Sequence, residues 1–350
     1  MSIIFMDSFD HYTTSAQMQT KGWFTVAGGT GVPSTAQKRT GGYSMCGNAN
    51  TGAALLMTAV PNGTAFYVQV AVYLSGAQAI PIIGPSGNPI DSNSYQCMVK
   101  VDATGVLSVA TWPGPANIGA TPAGTFRFNQ WNHLQMKFVI SNTVGEVEIY
   151  LNGALVLDLA NQDTLSQSGS PATVTCLFFG SSNTQYYDDL VVNYNDADGI
   201  NDGYLGDVRV VCLLPQTDAV AAGSNADFTC SSSTDHGALV DEATPDDDTS
   251  YVYSSTPNHV DSWEYPALGY TGDIKGVQLS LRAKKSDSGT RAIAAVTKPV
   301  ATNRVHATNH YLGMTGYVYW KAIWDQNPED TAAWEVADVD GAEFGVKVTV

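Results

Sequence analysis

The chain has 350 residues, and its 16 Lys and Arg against 33 Asp and Glu give a formal net charge of −17. Such an acidic surface repels phosphate backbones and anionic lipid, which disfavours nucleic acid as a partner and predicts no membrane insertion. Apolar residues make up 44% and charged residues 14% of the chain, a globular composition at a length that suits two domains.

The amino-terminal segment, MSIIFMDSFDHY, has no basic region and reaches Asp7 after a short apolar run. We therefore predict no secretory signal and expect synthesis and assembly in a cytoplasm. The five cysteines are scattered and contain no CxxC pair, so we predict buried free thiols rather than a disulfide framework or a zinc site.

Short segments that alternate apolar and polar residues recur along the whole chain. This period of two, with β-branched and aromatic enrichment, is typical of half-buried strands. Clusters of Gly, Pro, Asn and Ser separate the segments, and no amphipathic helix of three turns is evident, so we predict an all-β fold. The predicted strands cover residues 65–74, 133–140, 146–151, 154–159, 173–179, 186–194, 208–214, 250–255, 276–285, 290–297, 316–324 and 344–350.

The stretch WNHLQMKFVISNTVGEVEIYLNG, residues 131–153, predicts a meander. Its two strands alternate apolar with polar residues, and Asn152-Gly153 tolerates the positive φ that a type I′ hairpin turn requires before the third strand. We expect Trp131, just before the first strand, to be a rim or core anchor.

The segment NDADGINDGYLGD, residues 195–207, is rich in Gly, Asn and Asp and precedes a new run of strands. We place a domain boundary near residue 205. The prediction is two β-sandwich domains, one over 1–205 and one over 206–350.

The residues of the first domain resemble a known fold family. Trp131 before an alternating strand, then GEVEIYLNG and a closing YYDDLVV, resemble the laminin-G-like or concanavalin-A-like jelly roll. In that family the first strand commonly pairs beside the last. The resemblance therefore implies that residues 3–12 lie next to residues 185–194.

A second resemblance covers nearly the whole chain. The segments that carry it are GYLGDVRVVCLLP, VDEATPDDDTSYVYSST, VDSWEYPAL, IKGVQLSLRAKKSDSGTR and AAWEVADVDGAEFGVKV, which resemble structural proteins of tailed bacteriophages. It implies a component of the virion exterior, in a capsid decoration or a tail or fibre role, made in the host cytoplasm. The implied partners are other virion proteins and further copies of this chain, with a trimer as the expected homo-oligomer.

We predict that the chain is not an enzyme. Glycoside hydrolases on such sandwiches need two carboxylates about 5 to 9 Å apart across a cleft. Glu146 and Glu148 come closest to the hydrolase signature, yet both belong to the exposed face of a predicted hairpin strand. No G-x-S-x-G nucleophile elbow occurs either.

The alternative function is a host-glycan-binding adhesin that uses loops of the sandwich. Sugar-binding sandwiches present aromatic platforms on loops, and Trp112, Trp263 and Tyr270 stand in loop-like surroundings. We therefore name these three residues as candidate glycan contacts.

Acidic residues around the boundary offer hard oxygen ligands. Asp196, Asp198, Asn201 and Asp202 surround a glycine and are candidates for a calcium site, although the glutamate that completes an EF-hand is missing. A solvated linker is the favoured interpretation, so we predict no cofactor. Asp188 and Asp189 lie inside the last strand of the first domain, where we expect one to cap a loop or pair with the first strand, with a metal role as the minor alternative.

Overall fold

The structure is a computed structural model, and it describes residues 2–26, 31–47, 52–77, 80–86, 95–111, 117–165, 173–180, 184–196, 200–218, 225–299 and 302–350. The chain divides into two compact units, Met1–Val210 and Val211–Val350. Both are built from β-strands, so the predicted all-β class is confirmed.

The first unit opens with a strand that is followed by a single short helix, α1, at Ser15–Thr20. Its strands in the described residues, numbered β1 to β15 in chain order, are Ile3–Asp7, Trp23–Val26, Val32–Ser34, Ser44–Cys46, Gly52–Pro61, Phe66–Leu74, Ile80–Ser86, Cys97–Val101, Leu107–Thr111, Asn117–Ala120, Trp131–Val139, Gly145–Leu151, Ala154–Gln162, Thr173–Phe179 and Gln185–Tyr194.

Two antiparallel sheets form the sandwich of the first unit. The front sheet has the order β13-β12-β11-β6-β15-β4-β3, and the back sheet has the order β10-β9-β8-β7-β14-β5-β2. Strand β1 joins the front sheet by pairing with β15, with Ile3 opposite Asn193 and Asp7 opposite Leu190. The implied pairing of the first strand with the last is therefore confirmed.

Aromatic rings from both sheets meet in the core between them. Trp23 of the back sheet packs edge-on against Phe5 of the front sheet, with ring centroids 6.1 Å apart. Phe179 of the back sheet packs against Tyr187 of the front sheet at 5.2 Å. The Tyr187 hydroxyl donates a 2.6 Å hydrogen bond to the carbonyl of Ile82, which ties the sheets together without leaving a buried polar group unpaired.

The meander forms as predicted. Strand β11 pairs with β12, Leu134 opposite Leu151 and Phe138 opposite Val147, and β12 pairs with β13. Asn152 and Gly153 have φ values of 50° and 85°, the left-handed backbone that a type I′ turn needs.

Among its described residues the second unit has one short α-helix, α2, at Val336–Gly341 and a turn of 3₁₀ helix at Gly237–Leu239. Its strands in the described residues, numbered β16 to β25, are Thr217–Asp218, Thr229–Cys230, Val252–Tyr253, Val260–Glu264, Val277–Ala283, Ala292–Lys298, Arg304–Val305, His310–Tyr311, Val318–Trp324 and Glu343–Val348.

A hairpin packs on a larger sheet in the second unit. The larger sheet has the order β16-β19-β25-β21-β22, with β23 also paired to β21, and the hairpin consists of β20 and β24. Leu279 and Trp324 of the hairpin share a buried cluster with Ala295 and Phe344 of the sheet and with Trp334. Burial of these faces between two β-layers is what stabilises the unit.

The strand predicted over 208–214 is wrong. These residues form no strand, and residues 201–210 instead cross the front sheet with their backbone N–H groups bound to side chains. A strand needs a neighbouring strand to accept its hydrogen bonds, whereas the N–H of Val210 donates to the Asp189 side chain and that of Val208 to the carbonyl of Gly206. Residues 201–210, hereafter the strap, belong to the first unit, so the boundary placed near 205 falls within the strap.

Three of the five cysteines, Cys46, Cys97 and Cys176, are buried, whereas Cys212 and Cys230 are half-buried. All five are free thiols. Among the described residues no helix combines the length and hydropathy of a membrane-spanning segment.

Candidate functional site

The strand register places three aromatic side chains in one row across the front sheet. Tyr186 on β15 lies opposite Tyr73 on β6, and Tyr73 lies opposite Trp131 on β11. Opposed residues project from the same face of a sheet. That face points away from the core, because Val72 and Leu74, on either side of Tyr73, are the buried core residues of the strand.

These three residues, hereafter the aromatic row, are partly exposed. The rings of Tyr73 and Trp131 meet edge to face with centroids 5.7 Å apart, and those of Tyr73 and Tyr186 do so at 6.1 Å. Edge-to-face pairs contribute about 0.5–1.5 kcal/mol each beyond burial, so the rings hold one another in place. The aromatic row spans two interstrand spacings, roughly 10 Å.

Polar side chains follow the aromatic row on the same face. On β11, His133 is two residues beyond Trp131, and Gln135 is two residues beyond His133. Gln69 on β6 lies opposite Gln135, and it donates a 3.0 Å hydrogen bond from its Nε2 to Oδ1 of Asn193 on β15. All four side chains are nearly inaccessible to solvent, and we name them the polar lane. Polar residues at sheet positions of this kind are buried only when another segment covers them.

The strap is that cover. The backbone N–H of Leu205 donates to Gln69 Oε1 at 2.9 Å, and that of Gly206 donates to Gln135 Oε1 at 3.0 Å. Asn193 Nδ2 donates to the carbonyl of Gly203 at 2.8 Å. The strap is therefore held by side-chain amides of the sheet, which are groups that also bind sugar hydroxyls.

An acidic pair anchors the end of the strap. Asp188 Oδ2 accepts hydrogen bonds from the backbone N–H groups of Arg39 and Thr40, at 2.7 and 3.1 Å. Asp189 Oδ1 accepts from the N–H of Val210 at 2.9 Å, and its Oδ2 accepts from Arg39 Nη1 at 3.1 Å. The pair thus caps one loop and fixes the strap, as expected for the capping interpretation.

Burial governs the protonation of this pair. Burial, together with the neighbouring Asp189 charge, raises the pKa of Asp188 to about 7, although backbone N–H donors act in the opposite direction. Burial also raises the pKa of Asp189, against the effect of the Val210 N–H and the Arg39 guanidinium. Asp189 has a φ of 52° and lies at a shift in the pairing register between β15 and β6. On its other edge, β15 pairs with β4 before this point and with β1 after it.

His133 lies beneath the strap. Its side chain is 2% exposed, and in the described part of the chain neither ring nitrogen has a hydrogen-bond partner. Its Nδ1 lies 3.6 Å from the Asp207 carboxylate of the strap. Burial lowers the pKa of His133 to about 4, and the Asp207 charge only partly offsets this, since Arg39 and Arg209 are also near.

The predicted glycan residues do not come together as a site. Trp112 lies outside the described residues. Trp263 is 4% exposed and packs with Ile293 and Val346 in the core of the second unit, so its prediction as a sugar platform is wrong: no ring face is open to solvent. Tyr270 is 54% exposed, and its role in binding stays a prediction.

The predicted calcium residues are used in a hydrogen-bonded turn. Asp196 and Asp202 each accept a hydrogen bond from the hydroxyl of Ser2, at 3.1 and 2.7 Å, and the backbone carbonyl of Asn201 accepts from Asn193. Asp198 lies outside the described residues. Among the residues described, no group of three or more His, Cys, Asp or Glu side chains is arranged to hold a metal ion.

The two glutamates that come closest to a hydrolase signature share one lysine. Lys137 Nζ lies 2.6 Å from Glu146 and 2.9 Å from Glu148. Desolvation disfavours the charged form of Lys137, but the hydrogen bonds that it donates to both carboxylates outweigh this and raise its pKa. Both glutamates are thus ion-paired on the outer face of a hairpin strand, in keeping with their interpretation as hairpin surface.

Sequence reasoning missed the aromatic row. Trp131 was expected to be an anchor, and Tyr73 and Tyr186 were no more than strand residues in AFYVQVAVYL and QYYDDLVVNY. A signal was present, since each is an aromatic residue at a position of its strand that faces away from the core. Only the register shows that the three positions adjoin.

No protein-family model matches the sequence, and no curated protein matches it. Among solved structures, the chain is similar to a cellulose-induced protein, Cip1, at 14% identity and a TM-score of 0.38, over 59% of this chain and 99% of that one. It is similar to a mutant of alginate lyase Aly36B in complex with an alginate trisaccharide at 13% identity and a TM-score of 0.39, over 55% and 98%.

A carbohydrate-binding module, CBM66 from Bacillus subtilis, is similar at 15% identity and a TM-score of 0.34, over 49% of this chain and 96% of that one. At these identities the likeness concerns the all-β sandwich fold alone.

Proposed function

We propose that the protein acts by binding rather than by catalysis, and that its first unit recognises a glycan on the aromatic row. The observation that carries this proposal is the row itself: three partly exposed rings, side by side on adjacent strands of a rigid sheet. The apolar C–H face of a sugar packs on an aromatic ring, while its hydroxyls reach polar groups at the rim.

The dimensions and charge of the molecule agree with an oligosaccharide. A platform of roughly 10 Å accommodates roughly two sugar rings along the row. Aromatic rows also stack nucleobases, but the net charge of −17 repels the phosphates that a nucleic acid would bring with them. A neutral glycan avoids that repulsion, and an acidic one requires a cationic side chain beside the platform to offset it.

The test is binding of a glycan array by the Tyr73→Ala variant, which removes the central ring. We expect the affinity for any glycan bound by the native protein to fall about tenfold or more, by analogy with the roughly 1–3 kcal/mol per ring measured for other stacked ligands. Tyr253→Ala is the matched control, because that tyrosine is 51% exposed and lies in the second unit. Unchanged binding by Tyr73→Ala, or an equal loss in the control, would refute the proposal.

The second candidate is the structural role in a phage particle that the sequence resemblance implies. One structural feature favours it: the outer edge of the larger sheet in the second unit exposes two large apolar side chains. In the described residues, β21 is paired at that edge with the two-residue strands β22 and β23, which expose Val305 by 43% and Tyr311 by 62%. Exposed apolar sheet edges are typical of assembly surfaces.

This candidate predicts a homo-oligomer, with a trimer as the expected form, and contacts with other virion proteins. Light scattering of the purified protein and of a Tyr311→Lys variant tests it: the native protein should form an oligomer, and the lysine should weaken that oligomer at the sheet edge. Antibody labelling of particles, read by electron microscopy, tests the exterior location. A monomeric protein that no particle displays would exclude the role.

A further inference from the structure

The strap brings one carboxylate, that of Asp207, to the border between the aromatic row and the polar lane. Its Oδ1 accepts hydrogen bonds from Arg39 Nη2 and, at 2.9 Å, from Arg209 Nη1. The same oxygen lies 3.6 Å from Nδ1 of His133. His133 stands two residues, roughly 7 Å along the strand, from Trp131 on one strand face, so this carboxylate contacts a residue that adjoins the aromatic row.

In the contact between Arg39 and Asp207, the arginine is fixed by the first unit. Arg39 is only 9% exposed, and its Nη1 is held by the buried Asp189 at 3.1 Å, which leaves Nη2 directed at Asp207. A guanidinium held in this way is preorganised for a carboxylate, and such charge-assisted hydrogen bonds are among the stronger ones in proteins.

The anionic side of the contact is exposed to solvent. The Asp207 side chain is 58% exposed, and Gly206 and Arg209 beside it are exposed as well. Leu205, Gly206 and Val210 of the strap are held by backbone hydrogen bonds to side chains of the sheet, whereas Asp207 itself is held by ion pairs with Arg39 and Arg209. The pair with Arg209 is of the exposed type that contributes little, and the contact with Arg39 is one that the carboxylate of a ligand can make in its place.

His133 is the second observation that points to a ligand. A buried imidazole without a hydrogen-bond partner is less stable than a satisfied one, because its polar atoms have lost water and gained nothing in return. The residue opposite His133 on β6 is Ala71, whose methyl group offers the imidazole no hydrogen-bond partner. A sugar that replaced the strap would bring hydroxyl or carboxylate groups to this position.

We propose that Asp207 occupies a carboxylate subsite, and that an acidic sugar of the uronic-acid type, stacked on the aromatic row, displaces it to bind Arg39 and His133. This inference rests on the glycan-binding function proposed above. The strap then acts as an internal competitor that mimics the acidic ligand. Neutral sugars bind the aromatic row and leave the strap in place.

The test compares the native protein with Asp207→Asn on an array of uronic-acid oligosaccharides and their neutral methyl esters. The asparagine keeps the size of the side chain and removes the competing charge. We expect the affinity of Asp207→Asn for acidic oligosaccharides to rise about tenfold, the range of one hydrogen bond to a charged group. The affinity for the methyl esters should stay unchanged, and Asp207→Glu should behave as the native protein.

Each other outcome overturns the inference. If the affinity of Asp207→Asn for acidic oligosaccharides is equal to or lower than that of the native protein, Asp207 does not compete with the ligand. Acetate that competes as well as the oligosaccharide means a carboxylate site without sugar recognition. If neutral glycans bind through Tyr73 but Asp207→Asn does not raise the affinity for acidic ones, this inference alone fails. If neither the native protein nor any variant binds a glycan, the proposed function fails as well.

Discussion

The buried pair Asp188 and Asp189 predicts how stability depends on pH. Burial raises the pKa of Asp188 to about 7 from its usual 3.8, so between about pH 4 and pH 7 the folded protein holds a proton that the unfolded chain releases. The unfolding free energy contributed by the pair is therefore fully present at low pH and is lost as pH rises through this window. At about 1.4 kcal/mol per pH unit, the loss amounts to roughly 4 kcal/mol.

Asp188→Asn tests this reasoning, because an amide is neutral at every pH. Its oxygen can accept from the N–H groups of Arg39 and Thr40, but its NH₂ group then faces the N–H of Asp189, which costs about 1–3 kcal/mol at all pH values. We expect the variant to be less stable than the native protein at pH 4 and to approach or exceed its stability near pH 7.

The assay is urea unfolding followed by circular dichroism from pH 4 to pH 7.5, with Asp158→Asn on exposed strand β13 as the control. The difference between variant and native protein is the informative quantity. Other shifted groups, such as His133 and Asp261, are common to both proteins and cancel in it. Parallel pH profiles for Asp188→Asn and the native protein would refute the assignment of a raised pKa to this pair.

Two further substitutions probe the second unit. Trp263→Ala should destabilise the second unit by about 3–5 kcal/mol, because it empties a buried site, while glycan binding by the folded protein stays intact. Thermal unfolding and array binding measured together check this, and loss of binding without loss of stability would restore Trp263 as a ligand contact. Gly345→Ala should prevent stable folding of that unit, since an added Cβ would lie 1.9 Å from the backbone oxygen of Asp261 on the adjacent strand. Calorimetry checks this, and a native transition would show that β19 and β25 can separate there.

Much of the strand pattern was predictable because alternation is a local property. The strands 66–74, 145–151 and 173–179 lie where the period of two indicated them, and the Asn152-Gly153 turn follows from backbone sterics alone. The strand predicted over 208–214 failed for a physical reason. An alternating segment becomes a strand only if another strand accepts its hydrogen bonds, and here the N–H of Val210 goes to the Asp189 side chain and that of Val208 to the carbonyl of Gly206.

The candidate site was less predictable than the fold. A loop-like setting suggested that Trp263 is exposed, but it lies on β19, at the centre of a core cluster. Conversely, Trp131, Tyr73 and Tyr186 lie far apart in the chain, and no local pattern joins them. Their proximity depends on which strands are neighbours and in what register, which are non-local properties of the sheet.

The sequence by itself determined the all-β class, the meander, the free cysteines and the net negative charge. These follow from composition and from periodicities within a few residues. Only the tertiary structure decided that three aromatic rings form a row, that two adjacent aspartates are buried beside Arg39, and that the strap covers a polar lane. Each of these depends on strand register and on a segment folding back over a sheet, and residues distant in the chain determine both.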